Sequence, residues 1–112
     1  MDAASLAGTT ALDLSNPDIS PDFVTISFHK IFGLPNLGAL LVQKRHSALL
    51  KRRRYFGGGT VEMVTTNPHA WHGSKQDHIH EVLEDGTLPF HSIVALGHAM
   101  DVHEELFGPD PM

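Results

Sequence analysis

An α/β fold follows from three features of the sequence. Two short runs, at 23–28 and 38–42, have strand composition. A longer stretch after Pro89 repeats apolar residues at helical spacing. The composition, 41% hydrophobic and 19% charged over 112 residues, is that of an ordinary globular chain. Strands followed by helices indicate α/β layering, at a length that suits about one small domain.

In chain order, residues 1–22 are mostly small and polar, with Asn16-Pro17 and Ser20-Pro21 as turn signals. Leu12 and Leu14 allow a short extended piece at most. Phe23-Val24-Thr25-Ile26-Ser27-Phe28 is β-branched and aromatic, reads as a strand, and runs straight into His29-Lys30. Gly33-Leu34-Pro35-Asn36 breaks the chain. Gly38-Ala39-Leu40-Leu41-Val42 is continuously apolar and reads as a buried strand. Residues 44–54 are basic and predict a helix with Leu49 and Leu50 facing inward.

Tyr55-Phe56-Gly57-Gly58-Gly59-Thr60-Val61 follows. Three consecutive glycines lose backbone entropy and bury no side chain, so they predict a loop that turns tightly or approaches something closely. Residues 65–80 give no clear periodicity. Glu84-Asp85-Gly86-Thr87 reads as a turn, and Pro89 opens a helix. Ile93, Leu96, Gly97, Met100 and Phe107 form its apolar stripe, with a gap at 103–104.

Composition narrows the function. The net charge is −5, which gives no general attraction to nucleic acid or membrane. No apolar run reaches the ~18 residues that a span requires. The start, Met1-Asp2-Ala3-Ala4, lacks the basic flank and apolar core of a signal peptide. A cytoplasmic protein is expected. There is no cysteine, hence no disulfide, no cysteine–zinc site and no thiol chemistry within the chain. Both ends read as cut. Asp2 follows the first residue with no room for a strand or turn to place it, and Gly108-Pro109-Asp110-Pro111-Met112 stops straight after the last helix.

The informative residue is Lys30. A lysine at the end of an apolar strand either reaches solvent or is desolvated. Desolvation lowers its pKa and makes it a better amine nucleophile toward a carbonyl, as an aldehyde cofactor requires. A snorkelling strand-end lysine is the plain alternative.

The flanking residues favour the first reading. Asp2-Ala3-Ala4, then Ser27-Phe28-His29-Lys30-Ile31-Phe32-Gly33, then Gly38-Ala39-Leu40-Leu41-Val42, in that order, resemble the lysine region of class V aminotransferases and cysteine desulfurases. Those are fold-type-I pyridoxal phosphate enzymes. Tyr55 to Val61 and Glu84-Asp85-Gly86-Thr87-Leu88-Pro89-Phe90 are similar to the molybdenum cofactor sulfurase branch, its fungal forms in particular. The resemblance runs from Asp2 to Gly108. It implies a partial large domain of a fold-type-I transferase over 1–108, with a tail at 109–112.

The resemblance also implies roles. Lys30 would carry pyridoxal 5'-phosphate as a Schiff base and shuttle protons. Asp2 would pair with the pyridinium nitrogen, whose proton an anion retains. Ser27 and His29 would offer a hydroxyl and an imidazole N–H to the cofactor phosphate. Many members of the sulfurase branch have tyrosine in place of His29. Ser5 stands where desulfurases often carry a glutamine near the ring oxygen. Thr87 matches a threonine that reaches across a homodimer to the other subunit's cofactor phosphate, with Gly86 letting the backbone come close. Gly57 to Gly59 would form a loop near the same interface. Leu34-Pro35-Asn36-Leu37 is shorter than versions with Pro-Thr-Gly there. The plain readings are an ordinary carboxylate at Asp2, a strand residue at Ser27, an N-cap at Thr87 and a plain glycine loop.

By resemblance, the parent protein would take sulfur from L-cysteine and pass it to the molybdenum cofactor. Alternative parents are a cysteine desulfurase or a class V aminotransferase with another substrate, and a remnant that only binds cofactor or partner is a further reading. In the family, the ring stacked on the cofactor, the substrate-carboxylate arginine and the persulfide cysteine lie outside the matched stretch. The 112 residues alone are therefore expected to be inactive.

Two rival chemistries are weaker. His69-x-x-His72, His78-x-His80 and His103-Glu104-Glu105 form no HExxH and have no cysteine beside them, so no metal site is expected. Lys44, Arg45, Lys51, Arg52, Arg53 and Arg54 are six of the eight Lys and Arg residues. Their segment lacks interleaved aromatics apart from Tyr55-Phe56, so a solvated helix face or a seat for a partner's acidic surface is expected there, and no nucleic-acid partner.

Overall fold

The computed structural model describes residues 1–66 and 69–108. The tail expected at 109–112 lies outside the described residues. The chain divides into two compact units, one of residues 1–43 with the segment from Pro89 onward, the other Lys44–Leu88.

The first unit is built on an antiparallel pair, β1 (Phe23–Ser27) and β2 (Gly38–Val42), in register from Phe23 opposite Val42 to Ser27 opposite Gly38. Val24 and Ala3 are its buried apolar residues. Thr25 gives both backbone groups to the N-terminal segment: its N–H donates to the Met1 carbonyl at 3.0 Å, and its carbonyl accepts from Ala3 at 2.9 Å. Asp2 therefore has a placing strand after all, a parallel bridge to Thr25. The sequence hides it because the pairing spans more than twenty residues.

The strand expected over 23–28 ends one residue early. Phe28 opens a short helix, α1 (Phe28–Phe32), so Lys30 stands on a helical turn rather than at a strand end. Gly33 stops the helix with φ 73°, a left-handed conformation that glycine adopts without a Cβ penalty, and its N–H donates to the His29 carbonyl at 2.9 Å. Asn16 organises the predicted turn, accepting the Asp18 N–H on its side chain at 3.0 Å and the Ser20 N–H on its carbonyl at 3.0 Å. Gln43 ties that turn to the end of β2 by donating to the Ser20 carbonyl at 2.8 Å.

β2 is a strand but is not buried: Leu40 is 48% exposed and Leu41 39%. An apolar run specifies burial only where another layer is available to cover it. The last helix begins where Pro89 predicts, with Pro89 at its N-cap and the helix spanning Phe90–Phe107. It buries none of its residues, and the expected stripe is open at Ile93, Met100 and Phe107. Its contact with α1 includes Phe32, edge-on to His103 at 6.0 Å.

In the second unit, the helix expected over 44–54 shrinks to a 3-10 turn at Lys44–His46 and one helical turn, α2 (Ser47–Leu50). Four successive cations at 51–54 repel along a helix, and Arg53 is drawn elsewhere. Leu49, expected to face inward, is 57% exposed. An antiparallel hairpin pairs β3 (Val61–Thr65), bulged between Val61 and Met63, with β4 (Trp71–Ser74), the second strand falling in the region without periodicity. A helix, α3 (Ile79–Leu83), follows. The helix after Pro89 is α4.

Candidate functional site

Asp2, Ser5 and Lys30 come together in the first unit. The Asp2 carboxylate accepts the Ala4 N–H at 2.9 Å and the Thr25 hydroxyl at 3.4 Å. The Ala4 hydrogen bond is the main force holding its pKa below the usual aspartate value, opposed by desolvation and assisted by Thr25 and the Lys30 ammonium. The side chain is thus kept as an anion. The Ala4 bond also turns the chain into a 3-10 turn at Leu6–Gly8, with Ser5 at its N-cap. The Ser5 hydroxyl makes no capping bond. Its Oγ instead accepts from Lys30 Nζ at 2.7 Å, across 25 residues of sequence.

Lys30 is exposed, as is His29 on the same helical turn. The desolvation foreseen for Lys30 is not in place: α1 is five residues long and buries none of them. Ser27 is the N-cap of α1 in extended conformation, and its hydroxyl makes no capping bond. Ser27, His29 and Lys30 thus stand at the junction of β1 and α1, while Asp2 bridges Thr25 within β1. Phe28, between Ser27 and His29, donates its N–H to the Leu37 carbonyl at 3.2 Å, which fixes the turn against the start of β2.

Gly86 and Thr87 lie in the second unit and are exposed. Thr87 is not the N-cap of α4, a place that Pro89 holds. Nothing crowds a Cβ built on Gly86, whereas Gly57 and Gly59 meet a close approach of the kind foreseen. A Cβ on Gly57 would lie 2.3 Å from the Asp85 carbonyl oxygen, and one on Gly59 2.4 Å from the Glu84 oxygen. Asp85 locks the two segments together. Its carboxylate accepts the Gly57 N–H at 2.7 Å and forms an ion pair with Arg53, and its carbonyl accepts the Gly59 N–H at 3.0 Å. Arg53 also donates to the Val82 carbonyl at 2.7 Å. The Arg53 hydrogen bond first, then the Gly57 N–H, lowers the Asp85 pKa.

Arg53, expected on a basic face, is held instead by Asp85 and the Val82 carbonyl, a latch whose pairing has no local trace in the sequence. The triple glycine was the only local signal, and it named no partner. His72 stacks on Phe56 at 4.0 Å and His78 on His80 at 5.5 Å. Among the described residues, no three His, Cys, Asp or Glu side chains are grouped to hold a metal ion. Among the same residues, no helix is long and apolar enough to cross a membrane.

Comparison with known proteins bears on the same residues. The chain is 56% identical over 108 residues to a molybdenum cofactor sulfurase of Aspergillus niger, covering 96% of this chain and 13% of that protein. It is 57% identical to a protein of the same name from Neurospora crassa, covering 96% and 12%, and 55% identical to one from Botryotinia fuckeliana, covering 96% and 13%. The chain therefore spans about 13% of the length of the curated relatives it matches. No solved structure matches it. The family model described as aminotransferase class-V matches residues 1–108, which include Asp2, Lys30 and Thr87 alike. The chain belongs to the class-V aminotransferase family.

Proposed function

We propose that these residues are part of the pyridoxal phosphate site of a sulfurtransferase that moves sulfur from L-cysteine to the molybdenum cofactor. The observation that carries the reading is the joining of Lys30 to the Asp2 segment, within a chain 56% identical to a molybdenum cofactor sulfurase. The donor set suits the cofactor. Lys30 offers an exposed primary amine to an aldehyde, and Asp2 offers a carboxylate that hydrogen bonds keep ionised. When bound, pyridoxal phosphate supplies an electron sink for the substrate carbon.

The chain's own part is binding, orientation and proton movement. Asp2 would pair with the ring nitrogen, its charge favouring the protonated form. Ser5 Oγ holds Lys30 Nζ in one direction, and the same amine takes up and returns a proton at the substrate carbon. Ser27 and His29 supply donors to the phosphate. Thr87, with Gly86 beside it, supplies a phosphate contact to the second subunit of a homodimer. The Asp85 latch supports that role, because it fixes the residue before Gly86. Sulfur acceptance requires a thiolate, and the chain has no cysteine, so that step belongs to another segment or another chain. The setting is cytoplasmic.

The test is a titration of the purified chain with pyridoxal phosphate. An absorbance band near about 420 nm is expected, absent in Lys30→Ala and retained in Lys44→Ala. Equal bands in all three proteins would exclude Lys30 as the attachment point.

A further inference from the structure

The second unit contains a cavity of about 170 Å³ that shares no residue with the cofactor set Asp2, Ser27, His29, Lys30, Gly86 and Thr87. Its charge runs against the chain as a whole. The sequence carries 13 Asp and Glu residues against 8 Lys and Arg, yet Lys51, Arg53 and Lys75 line the cavity and no carboxylate does. Arg53 is answered by Asp85. Lys51 and Lys75 have no ion-pair partner among the described residues. Lys75 is half-buried. Its place is fixed by the backbone, since its N–H donates to the carbonyl of buried Thr60 at 2.9 Å. The stacked Phe56 and His72 add an aromatic wall.

We propose that this cavity binds a phosphate group, free or as a monoester. The space of about 170 Å³ equals about six waters by liquid volume, room for the five heavy atoms of a phosphate. Two unanswered ammonium groups match its charge. Ser74, on the lining, adds a hydroxyl that can donate to an oxygen. The aromatic wall gives a monoester bearing a planar group a surface to lie on, which free phosphate cannot use.

The experiment is a titration of the isotope-labelled chain with inorganic phosphate and with phenyl phosphate, followed by amide NMR at constant ionic strength. Saturable shifts at Thr60, Ser74 and Lys75 are expected with both probes. An apparent affinity reduced at least about five-fold in Lys75→Gln and restored in Lys75→Arg is expected. Tighter binding of phenyl phosphate identifies the monoester as the form the site takes, and equal binding identifies free phosphate. Three results overturn the proposal: the same shifts with chloride, unchanged affinity in Lys75→Gln, or a response to an oligoglutamate peptide with none to phosphate. Amide spectra of the variants show whether the fold is intact. If Lys75→Gln unfolds, Lys51→Gln carries the same requirement.

Discussion

Two aspartates illustrate how single residues hold the site. Asp85 has its pKa lowered by Arg53 and by the Gly57 N–H, so the folded state binds its proton less readily than the unfolded chain does. Its contribution to stability is therefore complete above the ordinary aspartate value of 3.8 and is lost as pH falls through the lower folded value. Denaturant unfolding should show Asp85→Asn to be less stable than the parent at neutral pH, with the gap closing in acid. A gap independent of pH would deny the ion pair its role. Gly57 makes a steric prediction. A methyl group there would overlap the Asp85 carbonyl at 2.3 Å, so Gly57→Ala should cost roughly 1–3 kcal/mol. Gly58→Ala, with nothing within contact distance, should cost less, and equal losses in the two variants would deny the close approach.

The elements differ in how much surface they bury, and their expected behaviour differs accordingly. β1 is tied on both edges, to β2 and to the N-terminal segment, and contains the buried Val24. Val24→Ala removes two methyl groups from that contact and should destabilise the first unit by about 2 kcal/mol. Thermal melts of the two proteins measure this. α4 is the opposite case, 18 residues with none buried, so it lacks the packing of an apolar face that supplies most helical stability in proteins. Its amides should exchange with solvent faster than those of Val24 and Thr25, and equal protection would mean that α4 is held by contacts the fold does not show.

The same contrast explains which elements could be read in advance. β1, β2 and α4 are local patterns, of β-branched runs, an apolar run and a 3.6-residue stripe, so their positions were legible. The β3–β4 hairpin was not, because Met63, Val64, Trp71 and His72 alternate poorly and the bulge at Val61 and Met63 breaks the period. The helix expected at 44–54 was over-extended because Lys and Arg favour helices individually but repel as a block of four. In the site, the Lys30 and Asp2 assignments came from motif order. Ser5 with Lys30, and Arg53 with Asp85, span 25 and 32 residues and leave no local trace.

For the molecule as a whole, chemistry is limited by composition. A chain without cysteine has no side chain that can hold a persulfide. Incubation with pyridoxal phosphate and L-cysteine should leave no sulfane sulfur on the protein, and detection of protein-bound persulfide would contradict the division of labour proposed above. The family assignment covers residues 1–108, while the described fold leaves β2 and α4 largely open to solvent. Lys30 is one amine among four lysines, and its attachment to the cofactor can be read by borohydride reduction of the cofactor-loaded chain followed by peptide mass mapping. The reduced cofactor is expected on Lys30 and lost in Lys30→Ala, whereas a label on Lys44, Lys51 or Lys75 that leaves Lys30 unmodified would exclude Lys30 as the attachment point.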